Sequence, residues 1–365
     1  MRVNTFGRLF RFHIFGESHG QGVGIVVDGV PPGTPVDMDR IQVDLDRRRP
    51  GQNRFASKRN EPDRLEILSG VHNERATGAP LTFWITNTDA KSKHYEKIRA
   101  VPRPGHADWT GFVRYEGHND PRGGGHFSGR LTAALVAAGA LGKIILERWG
   151  ITVGAHLQQV ADVVGPVNAF SVAEMRKSAS TNPMKTAHLA LVQSMEEAVD
   201  DARKARDSLG GVIEFAAEGM PVGVGEPWVD SMESHLSRLL FAIPAVKGVS
   251  FGAGCDSVTM RGSEHNDPYG HGDDGSVQPL TNHAGGILGG LSTGAPVWGH
   301  VAVKPTSSVF LPQQSVNLET GEEEVLSIEG RHDPIIAIRA VPVVECAMAF
   351  GLTDLLLRWR AYKGS

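Results

Sequence analysis

Residues 103–130 read RPGHADWTGFVRYEGHNDPRGGGHFSGR and carry four arginines, three histidines, seven glycines and two prolines. Guanidinium groups form a fork of donors that fits phosphate and carboxylate. Imidazole moves protons near neutral pH, and glycine lets backbone N–H groups come close to an anion. Glycine and proline at this density predict loops rather than a regular helix or strand. The stretch therefore points to a small anionic ligand, phosphate above all, with Arg103, His106, His126, Ser128 and Arg130 as candidate contacts.

The same chemistry recurs in separate segments. GESHG at 16–20 places Ser18 and His19 at the end of a strand. A nucleophilic serine would need a base in reach and an acid behind it, and residues adjacent in sequence rarely achieve that geometry. Proton transfer or anion contact by His19 fits better; a loop histidine with no role is the plainer alternative. Arg47, Arg48, Arg49 and Arg54 flank Pro50-Gly51. A helix dipole accounts for one basic residue at a helix end, and less well for three in a row. PRGGGHFSGR at 121–130 runs into a helix whose N-terminal N–H groups suit an anion. It is neither a Walker A loop, which needs Gly-Lys-Ser/Thr, nor a GxGxxG turn.

HNDPYGHGDD at 265–274 offers His265, Asp267, His271, Asp273 and Asp274, but such loops are more often simply solvated and no metal is expected. NHAGGILGG at 282–290, KPTSS at 304–308 and GRHDP at 330–334 add glycines, Lys304 with three hydroxyls, and the trio Arg331, His332 and Asp333.

These loops need elements to hold them. Apolar alternation and turn residues predict strands over 8–18, 22–30, 64–71, 81–86, 211–217, 246–261 and 296–304. Helical spacing predicts helices from Asp37 to Arg49 and over 131–149, 171–180, 195–209, 234–241 and 343–358. GIVVDGVPPGTPVDMDRI and VIEFAAEGMPVGVGEPWVDSM share one order, strand, acid-glycine, proline turn, helix, and suggest an internal duplication; chance likeness of such units is the alternative. No Pro-, Ser- or charge-rich linker divides the chain, so one composite α+β domain over 1–365 is expected.

A net charge of −4 argues against non-specific nucleic-acid binding, so the arginines are a local concentration. Cys255 and Cys346 make no disulfide framework, which fits a reducing cytoplasm. The N-terminus has no uninterrupted apolar stretch of signal-peptide type. The apolar run 340–357 holds Pro342, Glu345 and Asp354 and reads as a buried helix, not a membrane span.

Taken in order, TFGRLFRFHIFGESHG, DGVPPG, LDRRRPGQNR, NTD, RPGHAD, RGGG, AVKG, GSEHND, NHAGGILGG, KPTSS, GRHDP and IRAVP cover nearly the whole chain. In that order and spacing the chain resembles the chorismate synthase family. The resemblance implies a β-α-β sandwich with internal pseudo-two-fold symmetry, usually assembled as a homotetramer. It implies a lyase that converts 5-enolpyruvylshikimate 3-phosphate to chorismate by 1,4-elimination of phosphate and a ring proton. Reduced FMN is required although no net redox change occurs.

By resemblance, Arg48, Arg54, Arg103 and Arg130 hold the substrate. Ser18 and His19 lie at its phosphate, with His19 the proton donor to the leaving group. His106 contacts the flavin ring, and Asp333 lies near flavin N5 and assists loss of the ring proton. FMN is held by His126, Phe127, Ser128, Pro244, Ala245, Gly289, Lys304, Pro305, Thr306, Ser307, Ser308 and Arg331. The resemblance also associates Arg48 and Arg54 with NADP, here an indirect source of reducing equivalents. Bifunctional relatives that reduce their own flavin tend to carry insertions, and the compactness of this chain suggests the monofunctional kind. Many members read Arg-Ser-Ser-Ala-Arg-Glu where this chain reads His126-Phe127-Ser128-Gly129-Arg130-Leu131, which leaves side-chain or backbone contact open at 126 and 127. Pro244 stands where some members have Asn. The remaining alternative is a non-catalytic flavin- or phosphate-binding protein on the same fold.

Overall fold

The computed structural model describes residues 4–51, 54–55, 61–88, 100–272, 275–328 and 332–364. Two five-stranded antiparallel sheets enclose a layer of helices. The first sheet uses β1 (Thr5–Phe6), β2 (Arg11–Gly16), β3 (Gly22–Asp28), β4 (Leu65–Ser69) and β7 (Leu81–Thr86), in the order β1-β2-β3-β7-β4. A small hairpin, β5 (Val71–His72) and β6 (Arg75–Ala76), lies beside it. The second uses β8 (Thr152–Val160), β9 (Val163–Val164), β10 (Gly211–Glu218), β11 (Val246–Phe251) and the strand Val297–Val303, in the order β9-β8-β10-(Val297–Val303)-β11.

The period of two along the strands turns Val23, Ile25 and Val27, with their neighbours Leu81, Phe83 and Ile85, inward. In the second sheet Ile213, Phe215 and Ala217 do the same. Of the helices, α1 (Met38–Arg48) ends the first strand-turn-helix unit, and α2 (Asp108–Arg114) lies in the Gly-rich stretch. The middle layer is α3 (Thr132–Glu147) and α7 (Ala337–Lys363). Between them come α4 (Val172–Ala179), α5 (Val192–Lys204) and α6 (Met232–Leu240).

The two halves repeat. β2, β3, α1, β4, β7 and α3 in the first correspond to β8, β10, α6, β11, Val297–Val303 and α7 in the second, with the same strand order. The likeness reaches single hydrogen bonds. Gly33 N donates to Ala76 O at 2.8 Å and Ala76 N to Thr34 O at 2.9 Å. In the second half Gly223 N donates to Ser292 O at 2.8 Å and Ser292 N to Val224 O at 2.9 Å.

Both middle helices are apolar on nearly every side because sheets cover both faces of the layer. Each is long and apolar enough to cross a membrane by length and composition, but 83% and 89% of those stretches are buried inside the protein. The exceptions to their apolarity are paired. Lys143 Nζ donates to Asp44 Oδ2 at 2.7 Å and to Glu345, and Arg47 Nη2 donates to Glu345 Oε2 at 2.8 Å. Burial works to raise the Glu345 pKa, but Arg47 and Lys143 outweigh it and hold the carboxyl well below the usual range. Asp354 Oδ1 accepts from the backbone N–H groups of Arg8, Leu9 and Phe10 at 2.8 to 3.0 Å.

Some expected boundaries change. The Gly-rich stretch was expected to be all loop; it holds α2, because Asp108–Arg114 has only one glycine and an acid in its first turn. The strand expected over 246–261 stops at Phe251, where Gly252 and Gly254 take positive φ and a 3₁₀ turn follows. β8 was not foreseen, since it is buried on both faces and shows no alternation. Helix α7 starts before Pro342 rather than after it, so the proline lies in its second turn.

Gly139 on α3 packs against α7 so closely that a Cβ there would sit 2.1 Å from Cys346 O. Alanine is better than glycine in a helix by about 1 kcal/mol. Gly139→Ala is nonetheless expected to lower stability by ~1–3 kcal/mol through overpacking of backbone. Urea unfolding checks this, and a rise in stability would refute the close approach.

Candidate active site

Two adjoining cavities lie where segments from both halves meet. The larger, about 890 Å³, is bounded by 102–108, 117–129, 238–247 and 304–308. The smaller, about 270 Å³, is lined by Arg48, Glu61, Arg130 and Arg339 among others. Ser128, Gly129, Thr132, Ile243, Pro244, Ala245 and Ile336 line both and form their common wall.

His106 is fixed on the wall of the larger cavity. Its Nδ1 lies 3.0 Å from Pro104 O, and a carbonyl can only accept, so Nδ1 carries the proton. The neutral ring then presents Nε2 as an acceptor to Ser308 Oγ at 2.9 Å. Burial, reinforced by the charge of Arg103, pushes the His106 pKa down to about 4. Lys304 Nζ and Ser307 Oγ both donate to Gly105 O, at 2.6 and 2.9 Å, and tie this loop to the KPTSS segment. Lys304 is itself pushed down by burial and by Lys247. Thr306 Oγ1 is buried with no hydrogen-bond partner among the described residues. Arg103 Nε and Nη2 grip Asp108 at 2.7 and 2.9 Å, so Asp108 orients that guanidinium.

Ser18 and His19 are buried at the end of β2 against Gly123, which lines the larger cavity, though neither lines it directly. A Cβ on Gly123 would sit 2.4 Å from His19 Cδ2 and 2.8 Å from Ser18 Oγ. Gly123, Gly124 and Gly125 all take positive φ, a run that side-chain-bearing residues would not sustain. The triple glycine therefore wraps the Ser18–His19 turn. Gly125 O also accepts from Ser18 N at 3.1 Å. His126 turns away, with Nδ1 2.9 Å from Gly16 O and Nε2 3.2 Å from Asn4 Oδ1. Both ring nitrogens are thus engaged by protein groups. Phe127 and Ser128 line the cavity, as does Ala245, a non-glycine residue at φ 74°.

The smaller cavity gathers charge. Arg48 Nη1 donates to Asp63 Oδ2 at 2.8 Å, its Nε to Thr132 Oγ1 at 3.1 Å and its Nη2 to Gly129 O at 3.0 Å. Burial lowers the Arg48 pKa to about 10 despite Asp63, which leaves it charged at neutral pH. Arg130 bonds Asp63, Glu61 and Asn87. Arg339 Nη1 pairs with Asp333 Oδ2 at 2.9 Å and its Nε donates to Arg48 O at 3.2 Å.

The structure thus gathers Arg48, Arg103, Arg130, His106, Phe127, Ser128, Pro244, Ala245, Lys304, Thr306, Ser307 and Ser308 around the paired cavities. His126 lines the larger cavity while its ring points to Gly16 and Asn4. Asp333 adjoins them through Arg339. Pro305 lies in the same segment without lining either. Arg54 is elsewhere: half exposed, it pairs with Glu196 at 3.0 Å and Asp200 at 3.3 Å on α5. Gly289 is in the tight turn between Ile287–Leu288 and Leu291–Ser292, and lines neither cavity. Arg331, Asp273 and Asp274 lie outside the described residues. In the 265–274 loop, Asp267 accepts from Thr281, His283 N and Ala284 N, and among the described residues no group of three ligands is placed to hold a metal. Glu61, Asp63, Asn87, Asp108, Lys247 and Arg339 were not singled out from the sequence, although the quoted motifs NTD, RPGHAD, AVKG and IRAVP contain Asn87, Asp108, Lys247 and Arg339.

A family model described as chorismate synthase matches residues 10–357. The chain belongs to the chorismate synthase family. It is 47% identical over 358 residues to the chorismate synthase of Thermococcus gammatolerans, covering 98% of this chain and 99% of that one. It is 46% identical over 360 residues to the chorismate synthase of Chloroflexus aurantiacus, covering 99% and 97%. A crystal structure of a chorismate synthase matches with a TM-score of 0.77 at 25% identity, over 97% of this chain and 93% of that one. The α+β sandwich is thus the fold of the chorismate synthase family, and the chain is a lyase of aromatic amino-acid biosynthesis that acts on a small molecule.

His106 should titrate near pH 4 in the ligand-free chorismate synthase fold, against about 6.5 unfolded. A depressed histidine leaves the folded state short of a proton that the unfolded state binds, so stability is full above pH 6.5 and falls between about 6.5 and 4. Imidazole NMR checks the midpoint; one near 6.5 would remove the argument.

Proposed function

We propose that the chain eliminates phosphate and a ring proton from 5-enolpyruvylshikimate 3-phosphate to give chorismate, with reduced FMN in the larger cavity. The observation that carries this reading is the pairing of the two cavities. One has room, apolar walls and a hydroxyl- and lysine-bearing rim. The other converges Arg48, Arg130 and Arg339 on a narrow space. A substrate with one phosphate and two carboxylates needs such a set.

The residues of the larger cavity fit a flavin mononucleotide. Phe12, Ile14, Leu131 and Leu135 would face an apolar ring system. Lys304, Ser307 and the unpartnered Thr306 Oγ1 suit a phosphate tail. Bound reduced FMN would supply electron density that returns to it by the end, since the elimination changes no oxidation state.

The protein's share is binding, dryness and proton placement. Arg48, Arg103 and Arg130 hold the anionic groups of the substrate, with Arg54 added by resemblance alone, and Arg331 is assigned to FMN by resemblance. His19, against Ser18, gives a proton to the departing phosphate. Asp333, oriented by Arg339, takes the ring proton. His106, neutral with Nδ1–H tied to Pro104 O and Nε2 accepting from Ser308, stands on the wall of the larger cavity and adds no positive charge there. Gly289, remote from this chain's cavities, remains an assignment by resemblance alone.

The same reading makes the chain a single domain over 1–365, cytoplasmic, monofunctional, and supplied with reduced FMN by NADPH only indirectly. It also makes it a homotetramer. Trp228 and Val229, about 90% exposed, are apolar surface of the kind subunits cover.

Phosphate release under anaerobic conditions is expected with reduced FMN, with chorismate in step, and not with oxidised FMN. No release from folded protein that binds FMN would favour the non-catalytic flavin-binding role. His19→Ala and His106→Ala are each expected to slow turnover by roughly 10² to 10⁴. Near-normal rates in both would remove their assigned roles, and turnover driven by NADPH alone would overturn monofunctionality.

A further inference from the structure

Arg48 comes from the end of α1 and Arg130 from the turn before α3, yet their guanidinium groups meet on one carboxylate. Asp63 Oδ2 accepts from Arg48 Nη1 at 2.8 Å, and Asp63 Oδ1 accepts from Arg130 Nη1. Two cations brought together in a buried space repel, and an anion between them removes that cost and sets their separation. Asp63 is built to stay. Its side chain is fully buried. Its carbonyl accepts from Gln42 Nε2 at 3.2 Å, and its backbone sits at φ 46°, which Asp tolerates better than most residues. It lines neither cavity.

Glu61, two residues earlier, is different. It lines the smaller cavity and holds Arg130 Nη1 through one oxygen at 2.9 Å, with its side chain 11% exposed. A carboxylate on the cavity side of an arginine stands where an anionic group of a ligand would stand. Among the described residues, the other side-chain donors of Arg48 and Arg130 go to neutral acceptors: Thr132, Gly129 O, Asn87 or Thr86 O.

We propose that Asp63 is a positioning residue that fixes the spacing of Arg48 and Arg130 for the substrate, and that Glu61 is a placeholder anion which the substrate displaces from Arg130. The inference rests on the reading that these arginines hold 5-enolpyruvylshikimate 3-phosphate.

The two carboxylates then answer oppositely to neutralisation, and full-length variants test it by calorimetric titration with that substrate and, separately, with FMN. Asp63→Asn keeps the shape and the tolerance of positive φ but loses the charge. It should weaken substrate binding by ~10- to 100-fold, the scale of a charged hydrogen bond, with kcat changed far less than KM. FMN affinity should stay within about twofold, because Asp63 lines neither cavity. Glu61→Gln should bind substrate as tightly as the parent or up to roughly fivefold more tightly, as removal of one competing carboxylate at the cavity wall allows. Asp63→Glu keeps the buried charge and should fold even if Asp63→Asn does not; it should also raise KM with FMN affinity kept.

Parent-like substrate affinity in both Asp63 variants overturns the proposal. Equal loss of substrate and FMN affinity overturns it too, since Asp63 would then only hold the fold. Weakening in Glu61→Gln as large as in Asp63→Asn overturns the placeholder role. Failure of the parent to bind the substrate strikes the function itself, and is read before any variant.

Discussion

Glu345 is a carboxylate in the middle of an apolar helix between two sheets, and the geometry of the site depends on how its charge is met. Lys143 from α3 and Arg47 from α1 converge on it, with Asp44 closing the group. A buried charge without its partners is strongly unfavourable, so α1, α3 and α7 are held at one mutual rotation. That rotation decides what the three consecutive arginines do. Arg47 points inward to Glu345, Arg48 points to Asp63 beside the cavity, and Arg49 pairs at the surface with Asp46. A dipole at the end of α1 would ask for any one of them. The buried network assigns each its place.

The internal repeat explains why the site is asymmetric in chemistry although symmetric in construction. Arg48 closes α1, and the Ile243–Ala245 turn follows α6, the matching helix. Arg130 stands before α3, and Ile336 stands before α7. Both pairs line the smaller cavity. The first half thus brings two of the three guanidinium groups, Arg48 and Arg130, and the second brings a compact wall and Arg339. Lys304, after the strand Val297–Val303, corresponds to the segment after β7 that carries Asn87, and these too face the site, one in each cavity's surroundings. One scaffold, used twice, places different side chains around a common space.

The duplication was legible because glycine and proline mark it. Gly29 and Gly33 in one half, and Gly219 and Gly223 in the other, all take positive φ. The arginine-rich loops were legible because such charge density in a chain of net charge −4 needs a reason. Asp63 and Glu61 were not, since a lone acid in a polar segment reads as surface until folding places it between arginines. Arg339 was hidden within an apolar helix start, and β8 by burial on both faces. The triple glycine stood out as a place where backbone could approach an anion; its second task, making room for Ser18 and His19, showed only in the fold. Resemblance named Arg54 and Gly289, and neither lies at the cavities of its own chain.

The N-terminal turn ends its backbone N–H groups on Asp354, and Phe10 stacks on Phe350 with ring centres 4.5 Å apart. Both partners belong to the last helix. The first sheet therefore lacks part of its floor until α7 has been made. On the ribosome its apolar strands would wait partly uncovered while the elements from β8 to α7 are still being added. Partners about 345 residues apart finish the packing of the first strands, so the part made early is completed late.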